Sequence, residues 1–216
     1  VRKIFRDNGL TFVVMTLFIA FLVGQILTGF RVHNDDRAVR GVPEIGMSAY
    51  LTSGHFIEAT FENWESEYLQ MGFFVLATVY LFQRGSAESR DPDKPADNPR
   101  EPGTDRSPWP VKRGGLALKL YEKSLATVLL LLFVLSFVAH AWGGVRAYNE
   151  TQASYGESTL TMLQYVGTSQ FWFESFQNWQ SELLAIGSLV VLSIFLRQRN
   201  SPESKKVESP HSQTGS

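Results

Sequence analysis

TFVVMTLFIAFLVGQILTGF, Thr11 to Phe30, is the stretch that decides the fold. It lies in a run from Asn8 to Phe30 with no charged residue over 23 positions. At about 1.5 Å per residue, about 20 apolar residues cross a hydrocarbon core of ~30 Å as one helix. A second run, Ser124 to Val145, holds 22 residues whose only titratable group is His140. Both predict membrane-spanning helices. Arg2, Lys3 and Arg6 ahead of the first run would suit a signal peptide. The apolar stretch is longer than an h-region and lacks a small-x-small cleavage site, so a retained span is expected. The first residue, Val1, fits an alternative start and a trimmed terminus alike.

The averages over the 216 residues hide these runs. Hydrophobic residues make up 44% and charged residues 19%, with a mean hydropathy of −0.07. Those values suit a soluble globular protein, but they are the mean of apolar blocks and charged, proline-rich segments. The absence of cysteine excludes disulfides, thiol nucleophiles, cysteine-ligated zinc and iron–sulfur clusters. A net charge of −1 argues against a nucleic-acid partner. No nucleophile–base pair, phosphate-binding glycine loop or zinc motif is visible, so no enzymatic activity, cofactor or metal is expected.

Shifting the chain by 115 residues aligns Lys3 to Arg90 with Leu118 to Lys205 without a gap. YLTSGHFIEATFENWESEYLQMG (Tyr50 to Gly72) then lies over YVGTSQFWFESFQNWQSELLAIG (Tyr165 to Gly187), with Asn63/Asn178, Trp64/Trp179 and Glu67/Glu182 among the identities. Such a register predicts a tandem duplication. Each half holds a clear span and a weaker one. Tyr68 to Gln83 is uncharged for 16 residues and Leu183 to Leu196 for 14, each short of the ~20 that a crossing needs. A duplicated unit with a single span would invert its second copy, so both weaker segments are expected to cross. They extend from about Ser53 to Gln83 and from Ser169 to Leu196. Ile57, Phe61, Trp64, Tyr68, Met71 and Val75 form a packed stripe, matched by Trp172, Phe176, Trp179, Leu183, Ile186 and Val190.

The expected fold is therefore all-α, a polytopic membrane protein of four transmembrane helices in two tandem helical-hairpin repeats. Residues 1–84 form the first repeat and 114–199 the second. The segment 85–113 carries six of the nine prolines among alternating charges and predicts a disordered cytoplasmic linker, and 200–216 a disordered cytoplasmic tail. The expected spans contain no proline, which argues against the broken helices of many transporters. Basic residues gather at the N-terminus, the linker and the C-terminus (Arg197, Arg199, Lys205, Lys206), so both termini are expected in the cytoplasm.

Residues that could carry chemistry fall at one depth. Glu67 lies about 25 Å from Arg84, and Gln25 about 24 Å from Gly9. Gln25 and His140 correspond under the offset, so Gln25, Asn63, Glu67, His140, Asn178 and Glu182 are expected to form a polar layer in the outer third of the membrane. Intramembrane carboxylates need a partner or water. On a structural reading Glu67 and Glu182 are held by Arg31, Arg146, His140 or the asparagine amides. On a functional reading the layer binds a cation or relays protons, with His140 titrating. His55 and Glu58 resemble a helical ligand pair, but their counterparts are Gln170 and Phe173, which is weak support for a metal. Gly24 and Thr28, with Ala139 and Gly143, form small-xxx-small faces, and Gly72 and Gly187 add a small site to the other spans. These faces suit packing within the chain, a homodimer or another membrane protein partner.

RDNGL (Arg6 to Leu10), the Tyr50 to Gly72 stretch and YLFQRGSAESRDPD (Tyr80 to Asp93) resemble a family of bacterial multi-pass membrane proteins catalogued as a domain of unknown function. The resemblance covers essentially the whole chain. It implies a bacterial inner membrane and supplies no activity or substrate. The expected role is a structural or interaction component of that membrane, in contact with the lipid bilayer. The alternative is a small channel or transporter moving a cation or protons around Glu67, His140 and Glu182.

Overall fold

Long runs of apolar residues without proline become long helices here, because a helix satisfies its own backbone where no water can. The computed structural model describes residues 2–94 and 104–215. Part of the expected linker, 95–103, lies outside the described residues. In chain order the helices are α1 (Arg2–Val39), α2 (Met47–Tyr50), α3 (Gly54–Tyr80), α4 (Trp109–Arg113), α5 (Gly115–Tyr121), α6 (Ser124–Ser154), α7 (Met162–Val166) and α8 (Ser169–Phe195). The chain is all-α among the described residues. Asn8 breaks the helical geometry inside α1, with φ −133°, and its side-chain amide donates to the Ile4 carbonyl at 3.2 Å.

Among the described residues three helices are long and apolar enough to cross a membrane: α1 from Lys3, α6 and α8. Four were expected. At 27 residues α3 equals α8 in length, but it carries Glu58, Glu62, Glu65 and Glu67 where α8 has only Glu174 and Glu182. Those acids lower its hydropathy below that of a span. Leu10, Phe21 and much of the remaining apolar surface of α1 are exposed, the arrangement lipid-facing side chains require.

The fold divides into two compact units, the first formed by Val1–Phe61 with Ala139–Phe171. In it α3 meets α6 backbone to backbone. A Cβ on Gly54 would lie 2.7 Å from the Gly143 carbonyl, and one on Gly143 would lie 2.5 Å from the Glu58 amide. Two buried tyrosines close over glycines in the same way, Tyr50 over Gly29 and Tyr165 over Gly144. Loops are pinned by asparagines. The Asn34 amide exchanges two hydrogen bonds with the Ile45 backbone, at 3.1 and 2.9 Å, and Asn149 does the same with Leu160, both at 2.8 Å. Ser53 accepts from the Phe56 amide and Thr168 from the Phe171 amide, capping the starts of α3 and α8. Each of these bonds is made at positions 115 apart.

The second unit consists of Glu62–Val138 with Trp172–Ser216. Gly72 lies against Leu130. Phe133 and Phe137 of α6 meet Trp179 and Trp172 of α8, with ring centroids 6.2 and 6.4 Å apart. Beyond α3 and α8 the chain turns alike, since Ser89 accepts from the Gln83 amide and Ser204 from the Gln198 amide. The tail, whose composition predicts a tether, makes tertiary contacts. Lys205 is 1% exposed, and its ammonium donates to the carbonyls of Gly85, His211 and Gln213, the last two at 3.0 and 2.9 Å. A buried cation needs such acceptors. Gly85 has φ +84°, and a Cβ there would lie 2.6 Å from the His211 carbonyl, so the position requires glycine. Glu88 sits beside Glu203. Burial, then the Glu203 charge and a hydrogen bond to Glu203, push the Glu88 carboxyl above its ordinary value of 4.5.

Two outcomes follow from these contacts. Gly143→Val should destabilise the protein by about 1–3 kcal/mol, because the obstructing atoms are backbone. Gly24→Ala, which meets nothing within 4 Å, should cause no loss, and thermal unfolding in detergent measures both. A raised Glu88 value means that the docked tail holds the proton more tightly, so the stability this contact adds is complete below 4.5 and is lost as pH rises through the raised value. A nitroxide on Ser212→Cys, in a chain with no other cysteine, should therefore gain mobility with rising pH. Adding Glu88→Gln should flatten that profile.

Candidate functional site

Several of the inward-facing polar side chains find their partners on a neighbouring helix. In the first unit Gln25 of α1 donates to the Ala59 carbonyl and the Thr60 hydroxyl of α3, both at 3.4 Å. His140 of α6 has no exposed surface and stacks on Phe171, with centroids 4.8 Å apart at 28°. A carboxylate oxygen of Glu58 lies within 4.8 Å of a His140 ring nitrogen, and Glu58 accepts from the Tyr165 hydroxyl at 3.1 Å. Arg31 is exposed. The Arg146 guanidinium lies over the Trp142 ring, 4.7 Å from its centroid.

In the second unit Asn63 is exposed and its carbonyl accepts from Ser66. Asn178 bonds its own helix at the Glu174 carbonyl. Glu67 is exposed, with no ion pair among the described residues. Glu182 is half-buried and lies within electrostatic reach of Glu67, and its carbonyl accepts from Gln70 at 3.2 Å. Of the small residues, Gly143 and Gly72 make the close contacts described above. Gly24 and Gly187 face open space, Thr28 bonds the Gly24 carbonyl of its own helix, and Ala139 is half-buried.

The carboxylate that is fully enclosed is one the sequence reading passed over. Glu65 has no exposed surface, and its Oε1 accepts from the Ser175 hydroxyl at 3.0 Å and the Trp179 indole N–H at 3.1 Å. Ser175 is likewise fully buried. The 115-residue offset hid this group, because the counterpart of Glu65 is Gln180 whereas Glu67 pairs with Glu182. A signal existed: Glu65 follows Phe61 by four residues and so falls on the apolar stripe of α3.

A second cluster also went unread. A cavity of about 280 Å³ in the first unit is lined by His33, Asp36, Arg40, His55, Glu150 and Tyr155, among others. The His33 and His55 rings are 4.9 Å apart, and His33 Nε2 lies 3.9 Å from Glu150 Oε1. Arg37 pairs with that same oxygen. His55 therefore faces His33, while Glu58, its neighbour in the expected helical pair, bonds Tyr165.

Residues 1–216 match a sequence family described as a domain of unknown function, DUF6766. The chain belongs to that family. No curated protein and no solved structure matches it. For this DUF6766 chain the buried carboxylate makes a specific demand. Glu65→Ala leaves the Ser175 hydroxyl and the Trp179 N–H without their acceptor, at about 1–3 kcal/mol for each unsatisfied group. Unfolding in detergent should show that loss, a smaller one for Glu65→Gln, which keeps an acceptor oxygen, and a change within about 0.5 kcal/mol for Glu67→Ala at its exposed site.

Proposed function

We propose that the protein is a structural or interaction component of a bacterial inner membrane, built as two tandem helical hairpins with four spans and without enzymatic activity. The observation that carries this reading is the Glu65–Ser175–Trp179 cluster. The one fully enclosed carboxylate among the described residues is engaged in cross-linking α3 to α8, which favours a packed interior over a conduit. The same cluster supports the fourth span. A carboxylate met by two donors is far less costly inside a membrane than a bare one, so α3 can cross despite a hydropathy that counts its glutamates as unpaired.

Support for the duplication comes from the bonds made at positions 115 apart: Asn34 and Asn149, Ser53 and Thr168, Ser89 and Ser204. A mutation accumulates anywhere, but a repeated backbone device implies a repeated local fold. With four spans both termini face the same side, and the basic residues of the N-terminus, linker and tail favour the cytoplasm. The helix faces with Gly24 and Gly187, where an added Cβ would meet nothing within 4 Å among the described residues, suit approach by a second copy or another membrane protein.

The competing reading, conduction through Glu67, His140 and Glu182, has a direct test. Proteoliposomes carrying the natural chain should show proton and potassium flux at the level of empty liposomes, and Glu67→Gln with Glu182→Gln should leave it there. A specific flux that disappears in the double variant would overturn the structural reading.

A further inference from the structure

The turn that follows α8 repeats the one that follows α3, and the two differ in what their charges do. Ser86 and Ser201 close the turns alike, each backbone N–H donating to the carbonyl three residues earlier, Gln83 or Gln198, at 3.2 Å. The third residue of each turn, Gly85 or Asn200, has positive φ, +84° and +65°. Beside the first turn the Arg84 guanidinium closes on Asp93 with two hydrogen bonds, at 2.7 and 3.1 Å. The positions 115 further on carry the same two charges, Arg199 and Glu208. Among the described residues they form no ion pair. Both instead line one cavity of about 290 Å³, with Asn200, Ser201 and Lys206 among its other residues. Small-ligand pockets start at about 300 Å³.

The basic residues of this segment sort into two kinds. Arg197 spends its guanidinium on the carbonyls of Ser193, Ile194, Leu196 and Ser209, and Lys205 spends its ammonium on those of Gly85, His211 and Gln213. Arg199 and Lys206 are exposed, and among the described residues their side chains make no hydrogen bond or ion pair. Two uncommitted cations and one carboxylate therefore line the same cavity. Its first residue, Gln198, comes shortly after Phe195, where α8, a helix apolar enough to cross a membrane, ends. Leu196 and Val207 beside it are exposed.

We propose that this cavity binds the phosphoethanolamine headgroup of a membrane lipid. The phosphodiester, with one negative charge, is met by the planar donor fork of Arg199 and the point charge of Lys206. The ammonium at the other end of the headgroup donates to Glu208. The ligand thus completes across the cavity the ion pair that Arg84 and Asp93 close directly. Lys206 stands where the first turn has Asp91, and that exchange of sign favours an occupant bearing a phosphate. Free phosphate would satisfy the two cations and leave Glu208 facing a like charge. Exposed ion pairs are worth little by themselves. Acyl chains held in the bilayer beside Leu196 raise the effective concentration of the headgroup at the site. The proposal rests on α8 crossing a membrane and not on the four spans or the structural role, so a flux through Glu67 and Glu182 would leave it standing.

The test is native mass spectrometry of the delipidated full chain in detergent, titrated with dioleoyl phosphatidylethanolamine. A saturable first equivalent is expected, and its dissociation constant should rise about 10-fold in Arg199→Gln and in Glu208→Gln. Glu208→Gln should not weaken binding of dioleoyl phosphatidylglycerol, which has no ammonium. Arg84→Gln, in the turn whose charges are already paired, should bind as the natural chain does. A carbodiimide added to the natural chain with the lipid bound should join the lipid amine to the Glu208 carboxylate as an amide, with net loss of water. The adduct is read on the tail peptide and needs no variant to fold. Unchanged affinity in Arg199→Gln, equal weakening of both lipids by Glu208→Gln, or displacement by excess inorganic phosphate would each overturn the proposal. So would binding of glycerophosphoethanolamine as tight as that of the lipid, or coupling at other carboxylates in place of Glu208.

Discussion

A helix hides its own peptide groups from a hydrocarbon environment, but it cannot hide a carboxylate, an imidazole or an amide on its surface. Polar side chains among apolar helices gain by finding a donor or acceptor on a neighbour, by bonding their own helix backbone or by turning outward. Glu65 shows the first outcome, held by a hydroxyl and an indole from α8. Glu67, two residues along the same helix and about 200° around it, shows the last. The placement of α3 depends on this difference, since a helix with four glutamates is tolerable among apolar partners only when those that face inward, Glu58 and Glu65, are satisfied.

The same constraint shapes the ends of the helices, where apolar packing gives way to loops. There the chain relies on backbone-directed devices: asparagines that exchange two hydrogen bonds with a residue 11 positions later, hydroxyl caps, and glycines beneath tyrosines. Such devices fix geometry without a large core. They recur at an offset of 115, whereas the enclosed polar groups do not. Glu65 faces Gln180 under the offset, His33 faces Tyr148 and Glu58 faces Phe173. The halves thus share their means of turning the chain and differ in the polar groups they enclose.

The expected layer draws its members from both compact units, Gln25 and His140 from the first and Asn63, Glu67, Asn178 and Glu182 from the second. Gln25 reaches the neighbouring α3 and His140 is enclosed. Glu67 and Asn63 are exposed, because depth says nothing about rotation around the helix axis. Symmetry steered attention toward residues with a twin, and the enclosed carboxylate has none. The histidine pair escaped for a related reason. His33 and His55 lie on different helices, 22 residues apart in sequence, and only a folded chain brings their rings to 4.9 Å.

The sequence by itself determined that the chain is helical, where its long helices lie and that at least three are apolar enough for a bilayer. Those properties follow from unbroken apolar runs, which depend on local composition alone. It also carried the 115-residue register, which requires nothing but comparison of the chain with itself. Tertiary structure decided which glutamate is enclosed, which glycines admit a neighbour, how Lys205 is sheltered by carbonyls of the tail, and which histidines share a cavity. Each of these depends on helix rotation and on contacts between residues distant in sequence, and a solvation rule based on composition counts every charge as if it stood alone.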